Sequence, residues 1–160
     1  MKDSAIILTS GMFNSRNAKT AFGLVRHSEK YRILAVIDQN FAGQDAGEIV
    51  TSKNLNIPIH ASIKIFLREQ SSNLNITTEK FPRGLHAIIG VATPGGVIPN
   101  ELRQELLDAL SHGMNIVNGL HHYLSDDTEL MQTAEKFQAE LIDIRTVSYT
   151  HLTLPTTPYV

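Results

Sequence analysis

The chain has 160 residues, 42% of them apolar and 19% charged, with a formal net charge of -2. That length suits one domain with a full core, and the interspersed signs give no electrostatic footprint for nucleic acid or an anionic membrane. Cysteine is absent, which excludes disulfides, thiolate metal sites and Cys nucleophiles and fits a reducing compartment.

The opening "MKDSAIILTSG" has an apolar run of only four residues, too short for a signal-peptide core or a membrane span, so a cytoplasmic location is expected. Short apolar runs then recur at residues 5–8, 33–37, 57–59, 85–91, 114–117 and 141–144. Several are nearly continuous in Ile, Val and Leu, the pattern of strands covered on both faces in a parallel sheet. Between them lie helical stripes: Ala18, Ala21, Phe22 and Val25; Ala46, Ile49 and Val50; Leu102, Leu106, Ala109 and Leu110; Leu130, Ala134 and Phe137. Pro99 suits a first helical turn, Gly113 suits the end of the same helix, and Ser125-Asp126-Asp127 suits a helix start. The alternation predicts an α/β, Rossmann-like open parallel sheet of about six strands with helices on both faces. Residues 71–84, "SSNLNITTEKFPRG", are polar and end in Pro and Gly, which predicts a long surface loop.

The segment "ILTSGMFNSRNAKTAFG" reads as strand, loop and helix start, the place where a nucleotide-binding fold holds phosphate. Arg16 and Lys19 add positive charge. "FNSRNAKT" has P-loop spacing, but Phe13 and Ala18 stand where the glycines belong, and Gly11 is the only glycine available to a dinucleotide fingerprint before Gly23. Asp38, after the second strand, is placed either to accept from a ribose or to brace its own loop. Gly95 and Gly96 permit close backbone approach or a tight turn. In "NGLHHYLSDD", His121 and His122 are adjacent and would diverge on a strand or a helix, so no shared metal is expected; His121 is the candidate acid or base, and His122 reads as structural. His27, His60, His86 and His112 have no motif around them.

The segments "AIILTSGMFNSRNAKTAFGLVRHS", "AVIDQNFAGQDAGEIV", "GVATPGGVIPNELR", "GMNIVNGLHHYLSDD" and "LIDIR" together resemble the N-terminal domain of the D-glutamate N-acetyltransferase-like family, formerly a family of unknown function. The resemblance covers residues 5–145. It implies a Rossmann-like domain over 1–145, followed in the family by a P-loop NTPase-like domain that this chain lacks, so that the fragment alone is expected to be inactive. It implies acetyl-CoA as donor, D-glutamate or a related amino acid as substrate, and nucleotide binding through the P-loop partner domain. By position it carries over Lys19, Thr20, Asp38, Gly43, Asp45, Gly95, Gly96, His121, Asp143 and Arg145 as binding-site candidates. The first loop, with Lys19 and the helix N-terminus behind it, would face a carboxylate or phosphate, with His121 across the same crevice from Asp38.

Residues 146–160, "TVSYTHLTLPTTPYV", contain five threonines and no Asp, Glu, Lys or Arg. "VSYTHLTLP" resembles translated sequencing-adapter read-through, which would make this stretch an unstructured tail without biological role; a natural disordered tail is the alternative. Two other functions compete with the transferase reading. One is an NAD(P)-type oxidoreductase-like domain using Asp38 for ribose. The other is a non-catalytic assembly domain that packs on a partner domain or forms homo-oligomers through exposed helices.

Overall fold

The structure is a computed structural model and describes residues 3–74, 84–93, 95 and 97–144. Its strands are β1 (Asp3–Leu8), β2 (Tyr31–Ile37), β3 (Ile59–His60), β4 (His86–Ile89), β5 (Asn115–Asn118) and β6 (Leu141–Asp143). They form one parallel sheet in the order β3-β2-β1-β4-β5-β6. The α-helices are α1 (Lys19–Arg26), α2 (Ala46–Thr51), α3 (Ile63–Leu74), α4 (Asn100–Ser111) and α5 (Thr128–Lys136). α1 packs on α2, while α3 packs on α4 and α4 on α5. Right-handed crossovers place these two groups on opposite faces of the sheet. The expected Rossmann-like α/β architecture is therefore the observed one.

The apolar runs form strands because burial on both faces rewards an unbroken stretch. Ile6, Ile7 and Leu8 are all fully buried in β1, at the centre of the sheet. Helix ends follow local rules. At the end of α4, Gly113 adopts φ +77, its N–H reaching the Leu110 carbonyl at 2.9 Å and the Met114 N–H the Ala109 carbonyl at 3.0 Å. This is a Schellman stop, and buried Met114 supplies its apolar contact. Asp127 caps α5 by accepting from the Leu130 N–H at 3.1 Å, and the Arg103 guanidinium pairs with the same carboxylate and with Glu129, tying α4 to the start of α5.

Some expectations need correction. Pro99 is the N-cap of α4, extended at ψ 157, one position before the first turn. Residues 71–74 belong to α3 instead of a loop, and 75–83 lie outside the described residues. α3 carries an apolar stripe only at its start, where Ile63 and Phe66 are buried, so the periodic signal runs out before the helix does. Phe137 sits just past α5 and is 38% exposed, outside the stripe of buried Leu130 and Ala134. Among the described residues, no helix is long and apolar enough to cross a membrane.

Gly90 sets the approach of α1 to the sheet. A Cβ there would lie 2.4 Å from Ile7 Cγ2 and 3.0 Å from Ala21 Cβ. The Ala21 N–H donates to the Gly90 carbonyl at 3.0 Å and the Ala92 N–H to the Asn17 carbonyl at 2.7 Å. The close helix-to-strand contact that a fingerprint glycine serves in a dinucleotide fold is made here by a glycine after β4. Gly90→Ala is expected to lower stability by about 1–3 kcal/mol through overpacking, read from the urea midpoint; an unchanged midpoint would mean that α1 can shift off β1 without cost.

Candidate functional site at the carboxyl edge

The loop after β1 begins with a turn in which the Met12 N–H reaches the Thr9 carbonyl at 2.9 Å. Both central residues are left-handed, Ser10 at φ +52 and Gly11 at φ +83, the signs of a type I′ turn. Glycine adopts this freely, whereas serine does so at a cost of about 1 kcal/mol. The turn is held by Asp38, whose side chain is fully buried. Oδ2 accepts from Thr9 Oγ1 at 2.7 Å and from the Phe13 N–H at 2.9 Å, and Oδ1 accepts from the Asn40 N–H at 2.9 Å. Asn40 Nδ2 in turn donates to the Gly11 carbonyl at 2.9 Å. Asp38 thus occupies the bracing role, with its oxygens committed to its own and the neighbouring loop.

Asp45 and Asp143 are built the same way. Asp45 caps α2 through the Glu48 N–H at 3.1 Å and also accepts from the N–H groups of Leu55 at 3.0 Å and Ile57 at 2.7 Å. Gly43, at φ +90, donates its N–H to the Ile59 carbonyl at 2.9 Å. Asp143 accepts from Asn118 Nδ2 at 2.8 Å, the Leu124 N–H at 2.9 Å and the Ser125 N–H at 3.1 Å. Burial pushes the Asp143 carboxyl up, but these hydrogen bonds outweigh it and hold the group below the usual carboxylate range.

The side chains at the start of α1, Lys19 and Thr20, are exposed. The Ala21 N–H is already taken by Gly90, so the side chains rather than that amide remain to meet an anion. Gly95 is exposed at φ +65, and near it Thr93 is buried with its hydroxyl unpartnered among the described residues. His121 is exposed after β5. β5 and β2 are separated by β1 and β4, so the ends of β5 and β2 stand roughly 14 Å apart at ordinary strand spacing. Exposed His121 and buried Asp38 therefore do not converge on one small group. Gly96 and Arg145 lie outside the described residues.

The same edge carries a groove of about 730 Å³ between α3 and α4, beside Ile37 and Gln39 at the end of β2. That volume is in the ~300–1,000 Å³ range of small-molecule sites. Glu105 lines it, with Oε2 buried and without a hydrogen-bond partner among the described residues. Burial pushes this carboxyl from 4.5 up to about 7; a hydrogen bond from Ser10 opposes the shift, and the nearby charges of Asp38, Asp108 and Glu101 add to it. Perturbed carboxyls of this kind gather at functional sites.

Residues 39–147 match the family described as "Domain of unknown function (DUF1611_N) Rossmann-like domain". The chain belongs to this family. The chain is 34% identical over 96 residues to a D-glutamate N-acetyltransferase of Tritonibacter scottomollicae, covering 57% of this chain and 29% of the relative. It is 38% identical over 58 residues to a D-glutamate N-acetyltransferase of a Pseudoalteromonas species, covering 36% of this chain and 18% of the relative. The chain thus spans less than a third of these relatives. Its fold matches the crystal structure of a DUF1611 family protein from Anabaena variabilis with TM-score 0.69 and 31% identity, over 88% of this chain and 36% of that one.

Sequence reasoning missed Glu105. The signal was present in "ELRQELLDAL": a helix whose inward stripe is Leu102, Leu106, Ala109 and Leu110 has an acid three residues after Leu102, on the stripe's own side.

Removing the Asp38 carboxylate leaves the buried Thr9 hydroxyl and Phe13 N–H without an acceptor. Asp38→Ala is expected to cost about 3 kcal/mol or more, measured by chemical unfolding, and a loss below about 1 kcal/mol would show that water replaces the brace. For Glu105 the raised folded-state value means that the native state holds a proton the unfolded chain has released. Stability from this group is full below pH 4.5 and is lost as pH rises toward about 7. The melting temperature of Glu105→Gln relative to wild type should therefore climb across that window and level off above it; a pH-independent difference would contradict the buried-carboxyl assignment.

Proposed function

We propose that this domain is the ligand-binding Rossmann-like part of an enzyme that transfers the acetyl group of acetyl-CoA to the amino group of D-glutamate. The observation that carries the reading is the 34% identity over 96 residues to a protein named for that reaction. The architecture supports it, since ligands of open parallel sheets gather outside the carboxyl ends of the strands, where Lys19, Thr20, Gly95, His121 and the Glu105 groove all lie. The proposal concerns the longer protein, since the aligned stretch covers 29% of that relative.

The chemistry states what the edge must supply. An ammonium is no nucleophile, so D-glutamate must lose a proton before its nitrogen attacks the acetyl carbonyl and thiolate leaves. Exposed His121 and groove-lining Glu105 are candidates on this edge to take that proton. Lys19 offers positive charge to a carboxylate of the substrate or a phosphate of the donor. Asp38, Asp45 and Asp143 act at one remove, by holding the loops.

The whole protein should form N-acetyl-D-glutamate and free CoA when given both substrates, followed by thiol release and mass spectrometry. Lys19→Ala should raise the KM of one substrate by at least about tenfold, the ~1.4 kcal/mol expected when a charge contact is lost. No turnover in the wild type would overturn the transferase reading, and unchanged KM values would remove Lys19 from the site.

A further inference from the structure

The groove between α3 and α4 has two chemically unlike sides. α4 contributes Glu101, Glu105 and Asp108, and the start of α3 contributes Ser62 and Lys64. Asp108 is partly engaged, its Oδ1 lying 3.6 Å from His112 Nδ1. Glu105 receives a hydrogen bond from Ser10, while its Oε2 is buried with no hydrogen-bond partner among the described residues. Lys64 is exposed and has no ion-pair partner among the described residues. Ser62 accepts from the Ile65 N–H at 3.2 Å as a helix cap, which leaves its own O–H free to donate.

We infer that this groove holds an α-amino acid as its zwitterion, the ammonium against Glu105 and a carboxylate against Lys64 and the first turn of α3. An ammonium suits this wall, because it brings a positive charge among Glu105, Glu101 and Asp108. A purely anionic ligand would meet those carboxylates uncompensated. A simple cation would leave Lys64 and the surplus N–H groups at the start of α3 unused. A molecule carrying both charges meets both walls, and in D-glutamate either carboxylate can face Lys64. The assignment rests on the acetyl-transfer reading for its choice of D-glutamate and locates that substrate between α3 and α4 instead of at Lys19.

Calorimetric titration of the whole protein with D-glutamate and with glutarate, which lacks the amino group, tests it. D-glutamate should bind saturably and glutarate at least tenfold more weakly. Glu105→Gln, which keeps the side-chain shape and removes a disfavoured buried charge, should weaken D-glutamate at least tenfold and leave glutarate unchanged, while Lys64→Gln should weaken both. Equal affinity for the two ligands, no binding at all, or indifference of D-glutamate to Glu105→Gln would each overturn the assignment. Acetyl transfer measured on the same preparations separates the two readings. The expected binding pattern without turnover overturns the transferase function and keeps the groove. Turnover with an unchanged D-glutamate KM in Glu105→Gln overturns the groove and keeps the function.

Discussion

The buried carboxylate of Asp38 is the contact on which the carboxyl edge depends. A fully desolvated charge is tolerated only where donors surround it, and here Thr9, the Phe13 amide and the Asn40 amide do so. Those donors come from the loops after β1 and β2, so satisfying one charge positions two loops together. The left-handed Ser10-Gly11 turn is the geometric consequence: it delivers the Thr9 hydroxyl and the Phe13 amide to the same oxygen and brings Ser10 to Glu105.

The device is repeated. Asp45 gathers amides from the start of α2 and the approach to β3, and Asp143 gathers amides from the loop after β5. Three acids that a motif comparison singles out are thus scaffolding, each trading water for backbone N–H groups. The first loop is shaped by Asp38 instead of by a glycine-rich curl, and its helix is seated by Gly90 after the neighbouring strand β4.

Glu105 stands apart from this pattern. Every other buried acid discussed here has its donors, whereas Glu105 lies beside three other acids with one oxygen unsatisfied. Such a local conflict is costly to the fold. Its position on a helix between buried leucines holds it rigidly at the groove wall, as recognition of a small ligand requires.

The sequence by itself determined the parallel α/β class, the six strand positions to within a few residues and the stop at Gly113, because these depend on local burial pattern and backbone preference. It also marked Asp38 as important but left ribose and brace both open. Only the tertiary structure decided between them, because the donors of Thr9 and Phe13 come from a distant loop. The same holds for the Gly90 contact with Ala21 and for Glu105, whose chemistry depends on Ser10 and Asp38 arriving beside it. The extent of α3 was hidden because its apolar stripe ends before its hydrogen bonding does. Periodicity records how a segment faces the core; which far-off group it meets there is set by the packing of the whole sheet.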